Sequence, residues 1–113
     1  MNYDQSALDQ EFRSLAMHAD VRVHEIERET PSQRTADLHD EALGDFNVYR
    51  FLHARPFMVS RATLIEELKW FLRAEPVVPA NAYSPARFTS SRHSLIRKLI
   101  GRFETPVAAR SPI

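Results

Sequence analysis

"FMVSRATLIEELKWFL" (Phe57 to Leu72) and "FTSSRHSLIRKLIGRF" (Phe88 to Phe103) are two versions of one phrase set 31 positions apart, and they decide the fold class. Aligning Phe57 with Phe88 matches Ser60 with Ser91, Arg61 with Arg92, Leu64 with Leu95, Ile65 with Ile96 and Leu68 with Leu99. Apolar residues recurring every three or four positions mark a helix with one buried face. A serine ahead of such a stripe is an N-cap signature, because its hydroxyl can accept a hydrogen bond from a free backbone N–H of the first turn. Each copy is therefore expected to begin its own helix, at about 61–74 behind Ser60 and about 92–103 behind Ser91. Thr63 with Glu66 offers a competing capping box one turn later in the first copy.

The outward positions of the two copies differ. Glu66 and Glu67 in the first correspond to Arg97 and Lys98 in the second, and Trp70 corresponds to Gly101. Trp70 falls roughly opposite its apolar stripe, where an indole is costly unless something covers it. That cover is either another part of the chain, such as its Pro-rich segment, or a binding partner. The repeat itself has two accounts. Helices of common residues can look alike through shared rules of construction, or the phrase is a duplicated docking module.

Upstream, Leu8, Phe12, Leu15, Ala19, Val23 and Ile26 form a narrow stripe on a long helix expected at about 6–28. Asp4 or Ser6 can cap its start and Pro31 stops it. A seam of this width packs within the domain or pairs with a copy of itself, so a homodimer through the N-terminal helix is one expectation. Residues 30–45 read as a polar connection holding a short helix around 36–43 closed by Gly44. "FNVYRFLHARPF" suits strand alternation or two helical turns, with helix favoured. Pro76, Pro79 and Pro85 imply an extended crossing segment before the second copy, and 105–113 reads as a flexible tail. The expected architecture is thus all-α, with residues 1–104 forming a single helical domain. It is a small helical bundle or an elongated helical assembly with a Pro-rich extended connection.

A length of 113 residues suits one core, and a hydrophobic share of 43% with only two glycines suits a helical globular chain. The absence of cysteine excludes disulfides and thiolate zinc sites. No apolar run approaches the roughly 20 residues of a membrane span, and the start "MNYDQSALDQEF" is acidic where a secretion signal would be basic, so a cytoplasmic product is expected. Net charge is zero, yet residues 1–46 carry eleven acids against four arginines and residues 47–113 carry eleven bases against four acids. Such halves either neutralise each other internally or leave a basic surface for an anionic partner.

No chemistry-bearing motif emerges. His18 and His24 are six residues apart and do not share a helix face as an i, i+4 zinc pair would. His39, Asp40 and Glu41 are adjacent and read as a solvated face. The serines lack the G-x-S-x-G context of a nucleophile and are explained by capping. The expectation is therefore no enzyme, no catalytic residue, no metal and no cofactor. The function expected is a non-enzymatic adaptor or small structural subunit that docks to protein through its two amphipathic helices. Trp70, Arg61, Arg92, Arg97, Lys98 and Arg102 are its candidate partner-binding residues. A nucleic-acid-binding regulator using the basic C-terminal helix is the alternative, and a membrane-surface helix a third.

Overall fold

The computed structural model describes residues 5–53 and 60–105, which form four helices: α1 (Gln5–Glu27), α2 (Gln33–His53), α3 (Arg61–Arg73) and α4 (Pro85–Glu104). The architecture is the expected all-α small bundle. Helix α1 lies on α2, α2 on α4, and α3 on α4. None of the described helices is long and apolar enough to cross a membrane.

In α1 the buried positions are Phe12, Ala16, Ala19, Val23 and Ile26, while Leu8 and Leu15 are half-buried at the edge of the core. The seam is thus the one the spacing predicts, and it packs inside the chain against α2. Asp4, one of the two expected caps, lies outside the described residues, and Ser6 falls within the helix.

Helix α2 corrects the sequence reading. A single helix of 21 residues replaces the short helix closed by Gly44. It begins behind Ser32, whose hydroxyl accepts from the Thr35 N–H at 3.1 Å while the Ser32 N–H donates to the Thr35 hydroxyl at 2.8 Å. Gly44 is a crossing point, not a cap. A Cβ on it would lie 3.0 Å from the Ser91 hydroxyl and 3.1 Å from the Arg92 backbone nitrogen of α4. The ambiguous "FNVYRFLH" is helical to His53, with Val48 and Leu52 buried one turn apart. The rest of that stretch, from Ala54, lies outside the described residues.

Helix α3 starts where the sequence predicts. Ser60, in extended conformation, accepts from the Thr63 N–H at 3.1 Å, so the competing box with Glu66 is not the one used. The helix ends at Arg73, with the Ala74 N–H bonded to the Trp70 carbonyl at 2.9 Å and Pro76 just beyond. Helix α4 is the second correction. It begins behind Ser84, with Pro85 in the first turn and the Ser84 hydroxyl accepting from the Arg87 N–H at 3.2 Å. Proline preorganises a first turn whose N–H groups need no helical partner, and nothing between it and Ser91 breaks the helix. Ser91 therefore sits mid-helix and donates to the Glu41 carbonyl across the α2 crossing at 3.3 Å. The segment between α3 and α4 is extended with one turn, as its prolines predict. Residues 106–113 of the expected tail lie outside the described residues.

The core divides in two. Phe12, Val48, Leu52, Leu68, Ile96 and Phe103 form the larger cluster together with Leu64 and Leu99, and Val23, Ala42, Leu43 and Phe88 form a smaller one under the connecting segment. Phe12 is fully buried, with its ring edge-on to Phe103 at 6.3 Å. Phe12→Ala should cost about 3–5 kcal/mol in denaturant unfolding, and Leu15→Ala clearly less. Ser60→Ala and Ser84→Ala should each cost about 0.5–2 kcal/mol through a lost cap. Ser91→Ala, which removes no cap, should cost less than either in the same measurement.

Candidate interaction surface

Two polar clusters stand out in the fold. His39, expected on a solvated face, is fully buried in α2, as is Asp40. The imidazole has Nε2 2.9 Å from Glu27 at the end of α1 and Nδ1 3.1 Å from Asp40, and its ring meets Tyr83 edge-on at 4.9 Å. Asp40 accepts the backbone N–H groups of Tyr83 at 2.9 Å and Ser84 at 2.5 Å, and Glu27 also accepts from Asn81 at 3.1 Å. The hydrogen bond from His39, with that from Asn81, holds the Glu27 carboxyl below the usual carboxylate range. Both ring nitrogens face carboxylates and neither faces solvent, so the group is a clasp joining α1, α2 and the start of α4. Adjacent helix residues do point apart. Here α1 and the connecting segment cover both directions. Among the described residues no three His, Cys, Asp or Glu side chains converge to hold a metal.

The second cluster lines a groove of about 450 Å³ between α2 and α4, with Glu41, Asp45 and Tyr49 on one wall and Arg87, Ser90, Ser94 and Lys98 on the other. Arg87 reaches Asp37 at 3.6 Å and Glu41 at 3.5 Å. Burial, reinforced by Glu41, pushes the Asp45 carboxyl up to about 6 against the weaker pull of Lys98 and Arg22.

The sequence-predicted partner residues separate into used and unused groups. Arg92 is corrected outright: it is 1% exposed. Its Nε donates to Asn47 at 3.0 Å and its Nη2 to the Phe71 carbonyl at 2.6 Å, and its guanidinium lies 4.1 Å over the Phe71 ring. Desolvation in this position lowers its pKa. The sequence alignment made Arg92 the counterpart of Arg61, which is exposed at the first position of α3. Arg92 instead lies in the second turn of a longer helix, where α2 and α3 close over it. Arg102 is also engaged, donating two hydrogen bonds to Glu11 of α1 at 2.7 and 3.0 Å.

Trp70, Arg97 and Lys98 remain outward. Trp70 is 53% exposed on α3, and it flanks a shallow open depression of about 630 Å³ lined by Ala62, Thr63, Glu66 and Glu67. Its pose is fixed from within. The indole stacks on Phe51 of α2 with centroids 6.1 Å apart, Phe51 stacks on Phe71 at 3.8 Å, and Phe71 carries the Arg92 guanidinium. Sequence reasoning had no signal for Phe51, which is twenty residues away from its two stacking partners or nearly so and on another helix. On α4, Arg97 and Lys98 are exposed and make no ion pair within 4.0 Å among the described residues. Gly101 lies beside them in ordinary helical backbone, and among the described residues a Cβ there would meet nothing within 4 Å. A glycine inside a helix costs about 1 kcal/mol relative to alanine, and no contact among the described residues accounts for this one. A separate apolar spot on α1, formed by Met17 and Val21, is exposed as well.

The groove carboxylate yields a pH prediction. Because its folded pKa is raised from 3.8 to about 6, the folded chain binds the extra proton between those values. Stability therefore falls as pH rises through that window, and the penalty is complete above it. Asp45→Asn should stabilise the protein at pH 8 by about 1–2 kcal/mol, allowing for solvent screening of a part-exposed group, and should remove this slope from denaturation measured across the window. No protein-family model matches the chain, and comparison with curated proteins and with solved structures finds no significant match.

Proposed function

We propose that this chain is a non-enzymatic docking module, an adaptor or small subunit of a larger protein assembly, that engages protein through the outer faces of α3 and α4 with Trp70 as its anchor. The carrying observation is the half-exposed indole held by the stack from Phe51. An aromatic ring already fixed in one pose loses little entropy on binding, and tryptophan is enriched among the residues that dominate interface energies. The depression beside it supplies room for a partner side chain.

The internal use of basic residues argues against nucleic acid as the main partner. Arg87 and Arg102 are paired with carboxylates and Arg92 is buried, so the described basic stretch keeps only Arg97 and Lys98 outward and unpaired. Two phosphate contacts are few for a regulator, whose affinity would rest on many. The hydrogen-bonding commitments of His39 and Asp40 likewise favour a structural role over catalysis.

A photo-crosslinking amino acid at position 63, beside Trp70, tests the proposal in extract from the native host. A discrete protein adduct is expected that survives high salt, since apolar docking lacks the steep salt dependence of phosphate binding. Trp70→Ala should weaken the adduct-forming complex by about 2 kcal/mol or more, roughly thirtyfold. Adducts unchanged by Trp70→Ala, or the absence of any, would overturn the reading.

A further inference from the structure

The outer faces of α3 and α4 are complementary to each other. Aligned through the repeated phrase, the two helices agree at Leu64/Leu95, Ile65/Ile96 and Leu68/Leu99, and three neighbouring positions that differ carry opposite features in the two copies. Glutamates 66 and 67 stand where α4 has Arg97 and Lys98. The protruding Trp70 stands where α4 has Gly101, over which a Cβ would meet nothing within 4 Å among the described residues. From these oppositions we infer that the docking partner of Trp70 is a second copy of this chain, with α3 of one copy laid against α4 of the other and the indole seated on Gly101.

The helical spacing supports this pairing. The acids lie four and three residues before Trp70, and the bases lie four and three residues before Gly101. At about 100° per residue, each pair straddles its central position. When α3 and the second α4 run the same way, both flanks of the indole meet charge of opposite sign. Glu66, Arg97 and Lys98 make no ion pair within 4.0 Å among the described residues, so these charges need not leave an existing pair. A glycine lets a flat ring approach the helix backbone closely, and the stems of Arg97 and Lys98 can lie along the ring edges as cation–π partners. This also gives Gly101 the role that the fold does not. The seam of α1 is already packed on α2 and is not the pairing surface.

The inference rests on the docking reading above, and the experiment separates the two. Trp70 is the chain's single tryptophan, so its emission reports directly on its own burial. Purified protein is followed by sedimentation and fluorescence from low micromolar to millimolar concentration. The expected result is a rise in mass to at least twice that of the monomer, accompanied by a blue shift of Trp70 and loss of its quenching by iodide. Trp70→Ala should weaken the association about tenfold or more. Gly101→Gln should weaken it similarly while raising the melting temperature of the dilute monomer, which shows that the loss is not one of folding. The double variants Glu66→Lys with Glu67→Lys, and Arg97→Glu with Lys98→Glu, should each fail to self-associate, and mixing them should restore association.

A chain that stays monomeric with Trp70 exposed overturns the self-pairing. Crosslinks from position 63 to a different protein would then leave the docking reading standing. Association that is indifferent to the Trp70 and Gly101 variants also overturns it, and would point to another surface such as Met17 and Val21 of α1.

Discussion

The placement of α3 depends on one buried guanidinium. Helix α3 lies along α4 and touches α2 through the stack on Phe51, and Arg92 of α4 reaches across to the Phe71 carbonyl near its end while holding Asn47 of α2. A buried charge with no carboxylate beside it is costly and needs other compensation. Here the compensation comes from a carbonyl in the last turn of α3, where the helix dipole is negative, from the Asn47 amide oxygen and from the face of the Phe71 ring. Lysine could not replace it, since a single ammonium cannot reach two helices in a plane and lie flat on a ring at once. Phe71, Phe51 and Trp70 continue the stack outward. The outward pose of the indole is therefore tied to a charge buried inside the bundle.

The elements that were legible in the sequence are those whose signals have one meaning. A serine before a stripe with no proline upstream on the same helix gave α3, and heptad-like spacing gave the α1 seam. Gly44 and Ser91 were misread because each residue type has two uses. Glycine closes a helix or lets another backbone come close, and serine caps a helix or bonds across a crossing. Which use applies depends on tertiary structure: these two residues touch each other where α2 and α4 cross, and neither is intelligible without the other. Ser84 followed by Pro85 was a start signal already present in the sequence, overshadowed by the apparent symmetry of the repeat.

The candidate site was partly legible for the same reason. Trp70 stood out because an indole opposite an apolar stripe has no local explanation. Arg92 was misplaced because the repeat equated it with Arg61. The clasp of Glu27, His39 and Asp40 was invisible because its partners come from three segments, and only folding brings a residue at the end of α1 against one twelve positions later in α2. Phe51 likewise carried no sign that it would hold the indole.

The charge division between the halves is resolved in a way that bears on function. Acids of α1 and α2 take up Arg102 and Arg87 of α4, so the acidic half neutralises the basic half within the fold where those helices meet. Helix α3 lies along α4 and touches α2 through the stack on Phe51, and on α4 Arg97 is exposed while Lys98 borders the groove opposite Asp45. Glu66 on one side and Arg97 and Lys98 on the other make no ion pair within 4.0 Å among the described residues. These charges flank a half-exposed indole and a glycine whose Cβ position is open among the described residues. Stability alone would favour covering the first and filling the second with alanine.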